Sequence, residues 1–545
     1  MKKLSKELLM LLMATVFVVG CKSDDSKSEE SESSDSTEYA DVDLSDMELA
    51  TPATINLSSD DLVFAAYLDL DNLVEKSGLN ENQRKLLGVA LASEIDDPTL
   101  QKLVSRSISD LDASGIKLSE PLYLTVHADV VDDEIVLEAV MMMQMSDADT
   151  LDEYTSALDA DWEYNGDIRY ISHSDEDLSI TLGYNNDYLV FAATIDDYSY
   201  ELFEAAMDNG NVDLSMFSGR DAAIYMNQTK VMNLLYPELA NNEAYTSMID
   251  SDVENLICLT FEPGRIVMDV QTTGGNESLK RIYDTIDTEN LKYIAGDAVG
   301  FMGIGINGEA FVEVMEEILT EDMERTLAKN AGISRNDLVT TLEIVYSAIG
   351  SIDGGINLAL NDIRISTNYT YDDFGDYVPE TTVDAEATLL ANVSNNFFMD
   401  NISMLGNMAK KVSDNQYRIN YGKNTINIGQ EDNLFRIGLN APCNDTPAVN
   451  MADKWASKFE NSIMYFAVDV QNFAASKIGR DILREAKSDL TYDQRTFVDN
   501  AVEMLDSFWI NVNADYRGEI VLSFDDTETN ALQQIVALFI NAANN

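Results

Sequence analysis

The fold is decided by one segment, which reads Leu62-Val63-Phe64-Ala65-Ala66-Tyr67-Leu68-Asp69-Leu70-Asp71-Asn72-Leu73. Its apolar first half predicts a strand, and Asp69 then stands where a helix N-cap is expected. The same order recurs in residues 463–473, where Asp469 and Asn472 repeat the Asp-x-x-Asn spacing. A recurring strand-to-helix opening predicts that the chain is built from copies of one unit.

Two further segments open in the same way, and each of the four is followed by helical sequence, a hairpin and another helix. The openings are residues 62–73, 222–227, 299–306 and 463–473. Period-two alternation around a Gly-containing turn predicts the hairpins, which pair 256–261 with 266–270 and 510–514 with 520–524. The first and third units carry an additional hairpin, at 179–189 and 425–434.

This alternation of long and short units predicts two copies of a two-unit block, one over residues 59–292 and one over 293–545. A single unit cannot cover the apolar face of its own sheet, so several units must share a core. We therefore predict an α+β fold of internally duplicated strand-helix-helix-hairpin-helix units. Its sheets are expected to be antiparallel, with the helices mainly on one face.

The N-terminus predicts a lipoprotein signal peptide over residues 1–20. Lys2, Lys3 and Lys6 precede an apolar run over 8–19, which is shorter than the roughly 20 residues of a spanning helix. Val18-Val19-Gly20-Cys21 then has the small residue and cysteine of a lipoprotein cleavage site. Cys21 is the predicted lipidation site, carrying palmitate-type acyl chains, and the membrane is the predicted partner through that lipid.

Residues 21–58 are acidic and serine-rich, which predicts a disordered linker. Lys22-Ser23-Asp24-Asp25 resembles the surface-export signal of Bacteroidota lipoproteins, and Asp35-Ser36-Thr37 resembles their O-glycan acceptor pattern. The resemblance implies an outer-membrane lipoprotein exposed at the cell surface. A lipoprotein that faces the periplasm is the alternative.

The net charge of -62 and the pI near 4.1 disfavour nucleic-acid binding, which needs basic patches over phosphate. Carboxylate clusters such as Asp147-Ala148-Asp149 and Asp372-Asp373 could hold divalent cations weakly. None has the spacing of a calcium-binding loop. No specific metal site is predicted.

Few residues are candidates for metal or nucleophilic chemistry. The chain has two histidines; alternation places His127 on the exposed side of a strand, and His173 lies in a turn-like stretch. Cys258 is expected in a packed strand and Cys443 in a loop, and whether they pair stays open. No catalytic residue is predicted.

Residues 303–308 fit the G-x-G-x-x-G pattern of dinucleotide-binding turns. The corresponding turns at 67–72 and 467–472 contain no glycine, and helical sequence rather than a second parallel strand follows. Glycine is therefore expected to relieve crowding where strand meets helix. No cofactor is predicted.

Two groups of aromatic residues are candidate contacts for a glycan or protein ligand. Trp162, Tyr164 and Tyr170 cluster near the first additional hairpin, and Tyr371 and Tyr377 lie in a predicted acidic loop over 368–380. An exposed ring of this kind can stack on a sugar. The alternative is that these rings only pack within the sheet.

The whole chain resembles the large lipoproteins of Bacteroidota that carry a domain of unknown function over nearly their full length. Besides the N-terminal signal, the resemblance rests on Lys76-Ser77-Gly78 and Ser114-Gly115-Ile116, and it covers residues 55–545. It implies no site residues. The leading hypothesis is a non-enzymatic binding or scaffold protein; the alternatives are a glycan- or peptide-directed hydrolase using carboxylates and an envelope-assembly or chaperone-like factor. The oligomeric state stays open.

Overall fold

A computed structural model describes residues 62–543 apart from 94, 96, 132–133, 158–160, 175–177, 196–197, 209–216, 218, 236–250, 372–376 and 443–445. The signal peptide, Cys21, the acidic linker, Asp372, Asp373 and Cys443 lie outside these residues. The described part of the chain is mixed α+β, with antiparallel sheet throughout the pairings given below. This confirms the predicted class and strand direction. Within these residues, no helix is both long and apolar enough to cross a bilayer.

The chain forms two compact units. The first comprises residues 1–242, 252–268 and 526–545, and the second comprises 243–251 and 269–525. This grouping places the C-terminal segment in the first unit and residues 269–292 in the second. The division into two copied halves, residues 59–292 and 293–545, stays a prediction.

The described residues of the first unit form ten strands, of which the last runs into the second unit. They are β1 (Leu62–Leu68), β2 (Leu122–Val131), β3 (Glu134–Gln144), β4 (Glu163–Asn165), β5 (Ile168–Ser174), β6 (Ser179–Tyr184), β7 (Tyr188–Thr194), β8 (Ala222–Asn227), β9 (Ser251–Glu262) and β10 (Arg265–Gly275). The strands pair antiparallel in the order β4-β5-β6-β7-β3-β2-β1-β8-β9, and β10 follows β9.

Helices of the first unit connect these strands. They are α1 (Leu70–Ser77), α2 (Glu81–Ala92), α3 (Pro98–Ser109), α4 (Ala148–Thr155), α5 (Ser199–Asp208), α6 (Gln228–Leu235) and the C-terminal helix Ala531–Ala543. The C-terminal helix packs on α1, where the side chain of Gln533 lies against Gly78. Backbone hydrogen bonds add to this attachment, because the Gly264 amide donates to the Thr529 carbonyl at 2.9 Å.

Ten further strands lie in the part of the second unit that the structure describes. They are β11 (Gly300–Asn307), β12 (Ile352–Tyr371), β13 (Tyr377–Val393), β14 (Ala409–Ser413), β15 (Gln416–Tyr421), β16 (Asn424–Glu431), β17 (Leu434–Leu439), β18 (Ser462–Asp469), β19 (Leu505–Asn513) and β20 (Arg517–Phe524). They pair antiparallel in the order β14-β15-β16-β17-β13-β12-β11-β18-β19-β20.

The helices of the second unit are α7 (Glu277–Lys280), α8 (Gly308–Ile318), α9 (Glu321–Ala331), α10 (Arg335–Ile349), α11 (Phe397–Ile402), α12 (Ala452–Trp455), α13 (Val470–Ala475), α14 (Lys477–Ala486) and α15 (Tyr492–Met504). The C-terminal helix of the first unit, Ala531–Ala543, is α16. The described residues of the second unit also form the 3-10 segments Thr288–Tyr293, Ser403–Met408 and Ala456–Phe459. Its buried centre is aromatic, with Trp455, Phe459 and Tyr465 packed around Phe301.

The predicted strand-to-helix openings are confirmed at both copies of Asp-x-x-Asn. Asp69 caps α1 by accepting a hydrogen bond from the Asn72 amide at 3.0 Å, and Asp469 caps α13 by accepting from the Asn472 amide at 2.8 Å. A side-chain oxygen at this position satisfies an amide that the helix itself leaves without a partner. The four predicted hairpins are also present as β6–β7, β9–β10, β16–β17 and β19–β20.

The acidic loop predicted over residues 368–380 is wrong. Strand β12 continues to Tyr371 and β13 begins at Tyr377, and these two tyrosines pair directly across the ladder. The strands therefore take up all of the predicted loop except residues 372–376, which lie outside the described residues. A high density of Asp and Thr obscured the alternation that extends both strands.

Candidate functional site

Two of the predicted aromatic contacts gather around one arginine in the first unit. The guanidinium of Arg169 on β5 lies 4.8 Å from the ring centre of Trp162 and 5.7 Å from that of Tyr164. Arg169 is buried, and its Nη1 donates to Asp152 Oδ1 at 2.8 Å. Such cation–π contacts favour a desolvated guanidinium, so two of the predicted ligand platforms already have an internal partner.

The third aromatic residue, Tyr170, is also engaged within the unit. Its hydroxyl donates to Glu163 Oε2 at 2.8 Å, and its ring centre lies 4.7 Å from that of Tyr200. The hydrogen bond to Glu163, together with partial burial and that carboxylate's charge, raises the pKa of Tyr170 to about 12. Tyr164 differs from its neighbours in being 69% exposed, so it is the ring of this cluster that is open to a ligand.

The exposed position predicted for His127 is wrong. His127 on β2 is 2% exposed, whereas Leu124 and Val126 on the other side of the strand are half-buried. The buried face of β2 is the one that carries Thr125 and His127, at 6% and 2% exposure, so its more polar side chains point inward. His173 lies on β5 opposite Ile180 rather than in a turn.

Other predicted residues are placed as follows. Cys258 is buried on β9. Asp147 acts as the N-cap of α4, accepting from the Asp149 amide at 3.1 Å and from Thr150 Oγ1 at 2.6 Å. Over the described residues, no group of three or more His, Cys, Asp or Glu side chains is arranged to hold a metal ion.

The glycines of residues 303–308 make room for neighbouring backbone. A Cβ on Gly305 would lie 1.7 Å from the Asp284 carbonyl oxygen, and one on Gly308 would lie 2.0 Å from that of Ile349. β11 leads into α8, and the chain continues through α9 and α10 to the antiparallel strand β12. The geometry thus agrees with the crowding interpretation and differs from a parallel βαβ turn.

An ion pair is buried in the first unit beside α1. Lys76 Nζ lies 2.9 Å from Asp221 Oδ1, with side-chain exposures of 10% and 0%. Asp221 also accepts from Asn72 Nδ2 at 2.6 Å and from the Phe261 amide at 2.6 Å. Burial raises the pKa of Asp221, and its hydrogen bonds and the Lys76 charge oppose that shift. These contacts join α1 to the strands β8 and β9.

A cleft of about 490 Å³ opens on the sheet of the second unit. Its floor is one face of β15 and β16, and its side is the segment that follows β17. The lining side chains are amides, a hydroxyl, a guanidinium, a phenol and short apolar groups. They are Val412, Gln416, Tyr417, Arg418, Thr425, Asn427, Ile428, Asn440, Ala441 and Pro442.

The side wall of the cleft is held by Asn440, whose backbone adopts a left-handed conformation with φ of 54°. Asn440 Oδ1 accepts from the Thr425 amide at 2.9 Å, and its Nδ2 donates to the Ala385 carbonyl at 2.8 Å. Gly438 lets the wall fold back, because a Cβ there would lie 2.4 Å from the Ala441 carbonyl oxygen. The cleft is therefore shaped before any ligand arrives.

The floor of the cleft is tied to the wall through Asn427. Its Nδ2 donates to the Ala441 carbonyl at 2.8 Å, and its Oδ1 accepts from Arg418 Nε at 3.1 Å. Arg418 is exposed, and within the described residues its two terminal nitrogens make no hydrogen bond. The guanidinium is thus oriented at one edge and available at the other.

The sequence predictions did not identify this cleft. Its walls come from segments that approach each other only through the β16–β17 pairing. One signal was available in the sequence: residues 409–430 carry four basic side chains and one acidic side chain in a chain with a net charge of -62.

Comparisons with protein-family models, with curated proteins and with solved structures find no match to this chain.

Proposed function

We propose that this chain is a lipid-anchored envelope protein that binds saccharides without transforming them. Its anchor is the acylated Cys21, and its position is the outer face of the outer membrane, with a periplasm-facing position as the alternative. The observation that carries the binding function is the preformed cleft on β15 and β16 in the second unit.

The chemistry of the cleft supports a sugar ligand. Amide, hydroxyl and guanidinium groups donate and accept the directional hydrogen bonds that sugar hydroxyls need, and they are supplied here by Gln416, Thr425 and Arg418. Exposed apolar surface from Val412 can cover part of a sugar ring, while Tyr417 packs against the core beneath the cleft. Its volume lies in the range of ordinary ligand pockets.

We also propose that the body is a duplicated two-unit block. The support is the agreement between the two pairing orders, in which β4 to β9 and β1 to β3 correspond strand for strand to β14 to β19 and β11 to β13. The matching N-caps at Asp69 and Asp469 add to it. On this proposal, the cleft hairpin β14–β15 and the Tyr164 hairpin β4–β5 are corresponding elements.

Binding is tested with the full-length, detergent-solubilised lipoprotein on an array of neutral and acidic oligosaccharides, followed by calorimetry on those retained. We expect Gln416→Ala to weaken binding about tenfold, the effect of one lost hydrogen bond in a desolvated site. Asn415→Ala is the matched control, because Asn415 precedes the cleft strand and does not line the cleft. Failure to bind any oligosaccharide contradicts the proposal.

The non-enzymatic part is tested on the same ligands. Mass spectrometry after prolonged incubation should recover each bound oligosaccharide intact. Shortened products that disappear with a carboxylate-to-amide variant would favour the hydrolase alternative instead.

The location is tested by two measurements on cells. Cys21→Ser should abolish labelling by an alkynyl fatty acid and release the protein from the membrane fraction. Protease added to intact cells should remove the body of the wild-type protein if it is displayed outside, whereas protection until the outer membrane is opened would favour the periplasm-facing alternative.

A further inference from the structure

We infer that the cleft on β15 and β16 selects a carboxylate-bearing oligosaccharide, whose carboxylate is held between Lys410 and Arg418. This inference rests on the proposed saccharide-binding function and names the class of sugar. The evidence for it is a group of basic side chains that lies beside the cleft in an otherwise acidic chain.

The excess of basic side chains is confined to the three neighbouring strands β14, β15 and β16 and their turns, hereafter the hairpin. Between residues 409 and 430 the basic side chains are Lys410, Lys411, Arg418 and Lys423, and the acidic one is Asp414. Asp414 is engaged by Lys411, with Nζ and Oδ1 3.0 Å apart, and this contact raises the pKa of Lys411. Within the described residues, Lys410 and Arg418 have no carboxylate within ion-pairing distance.

Two of these cations face each other. Lys410 on β14 pairs directly with Arg418 on β15, and Arg418 in turn pairs with Asn427 on β16. Side chains directly opposite in an antiparallel ladder share a face and lie close together, and like charges at such positions are destabilising. An anion placed between them would remove this repulsion.

The orientation of the Arg418 guanidinium favours a carboxylate as the anion between Lys410 and Arg418. Because Nε of Arg418 is occupied by Asn427 Oδ1, the two terminal nitrogens remain for a bidentate contact, a geometry that matches carboxylate oxygens. The same face of the hairpin continues into Gln416 and Thr425 of the cleft. A carboxylate at Lys410 and Arg418 would therefore belong to a larger molecule whose neutral hydroxyls reach the amides.

An anionic membrane surface is disfavoured as the partner. The chain as a whole carries a net charge of -62, which would be repelled by anionic lipid headgroups over any extended contact. A slender chain that meets only the hairpin avoids most of that repulsion. Apolar surface at the cleft, from Val412 at 52% exposure, suits the face of a sugar unit beside the carboxylate.

The experiment measures binding of the full-length lipoprotein to oligosaccharides of alginate, polygalacturonate and hyaluronan, each beside its methyl ester. The ester keeps the sugar and removes the charge. We expect one acidic oligosaccharide to bind about tenfold more tightly than its ester, since the two exposed charged contacts, from Lys410 and Arg418, contribute up to ~1 kcal/mol each. This preference should shrink as salt is added.

Variants locate the charge selection. Lys410→Glu should remove the preference for the acid while leaving the affinity for the ester within about twofold, because Lys410 does not line the cleft. Arg418→Gln should also remove the preference, and it should weaken the ester as well, because Arg418 lines the cleft. Lys329→Gln on α9 is the matched control, because it removes one exposed positive charge outside the hairpin, and it should change neither affinity. Thermal melts of every variant establish that the fold is retained.

The outcomes separate the two proposals. Equal affinity for acid and ester, or a preference that survives Arg418→Gln, overturns the inference while saccharide binding stands. Binding to phosphatidylglycerol vesicles that depends on Arg418, without binding to any oligosaccharide, overturns both. The absence of binding to every oligosaccharide in either form also overturns both.

Discussion

Lys410 and Arg418 lie directly opposite each other across the β14–β15 ladder, although the chain around them is overwhelmingly acidic. Carboxylates are so abundant in this sequence that an acidic neighbour would be easy to supply. The repulsion between the two cations costs folding free energy. The carboxylate of the proposed ligand would remove that repulsion by binding between them.

This relationship predicts that Lys410→Glu stabilises the ligand-free protein. Replacing a like-charge pair by an opposite-charge pair should raise the free energy of unfolding by ~0.5 kcal/mol, measured by urea denaturation at low salt. Lys411→Glu is the matched control, because it makes the same change one residue away and loses the contact with Asp414. A Lys410→Glu variant that is less stable than the wild type would contradict the repulsion argument.

Removing the cation at position 76 should strongly destabilise the first unit. Lys76→Met leaves the fully buried Asp221 without its ammonium partner, and breaking such a pair costs about 3–5 kcal/mol. Chemical denaturation measures the loss. Lys85→Met provides the comparison, since its partner Glu81 is 67% exposed and exposed pairs contribute at most ~1 kcal/mol.

The deficit of Lys76→Met should depend on pH with a defined sign. Burial holds the pKa of Asp221 above its ordinary value, and loss of the ammonium raises it further. A carboxyl with a folded-state pKa above its unfolded value contributes stability that is present at low pH and is lost as pH rises through the folded pKa. The difference in unfolding free energy between variant and wild type should therefore shrink as the pH is lowered.

The double variant Lys76→Met with Asp221→Asn checks that interpretation. It should be less destabilised than the sum of the two single variants, because the buried charge has been removed. Its deficit should also lose the dependence on pH. A pH-independent deficit in Lys76→Met alone would show that lost packing, rather than charge, is responsible.

Gly438→Ala should close the cleft. The new Cβ would lie 2.4 Å from the Ala441 carbonyl oxygen, so the wall must move. We expect a loss of about 1–3 kcal/mol in the free energy of unfolding and a loss of saccharide affinity greater than about tenfold. Gly300→Ala is the control, because a Cβ there would lie 3.4 Å from its nearest neighbour, the Ala467 carbonyl oxygen. An equal loss of affinity in this control would contradict the role of Gly438 in shaping the cleft wall.

Local chemistry was enough to predict the recurring parts of this fold. Asp69 and Asp469 stand at the only place in their segments where a polar residue separates an apolar strand from a helix, so the N-caps could be placed without coordinates. The turn at Gly264 likewise marks its hairpin, with φ of 69°. Such features depend on residues that are neighbours in sequence.

Long-range features could not be predicted in the same way. His127 was assigned to the wrong face because β2 buries its more polar side, with Thr125 and His127 pointing inward, which the polarity of the side chains does not indicate. The cleft depends on Asn440 reaching Ala385, 55 residues away. Arg169 was not predicted to join Trp162 and Tyr164, since an arginine in an alternating strand gives no sign that its guanidinium will be buried.

The discontinuity of the first unit has a consequence for biosynthesis. Residues 526–545 are made after residues 269–525, so the first unit lacks its last segment while more than two hundred intervening residues are made. A premature stop codon between residues 525 and 531 would therefore remove the helix that packs on α1. The damage from such a late truncation would fall on the earliest-made part of the body.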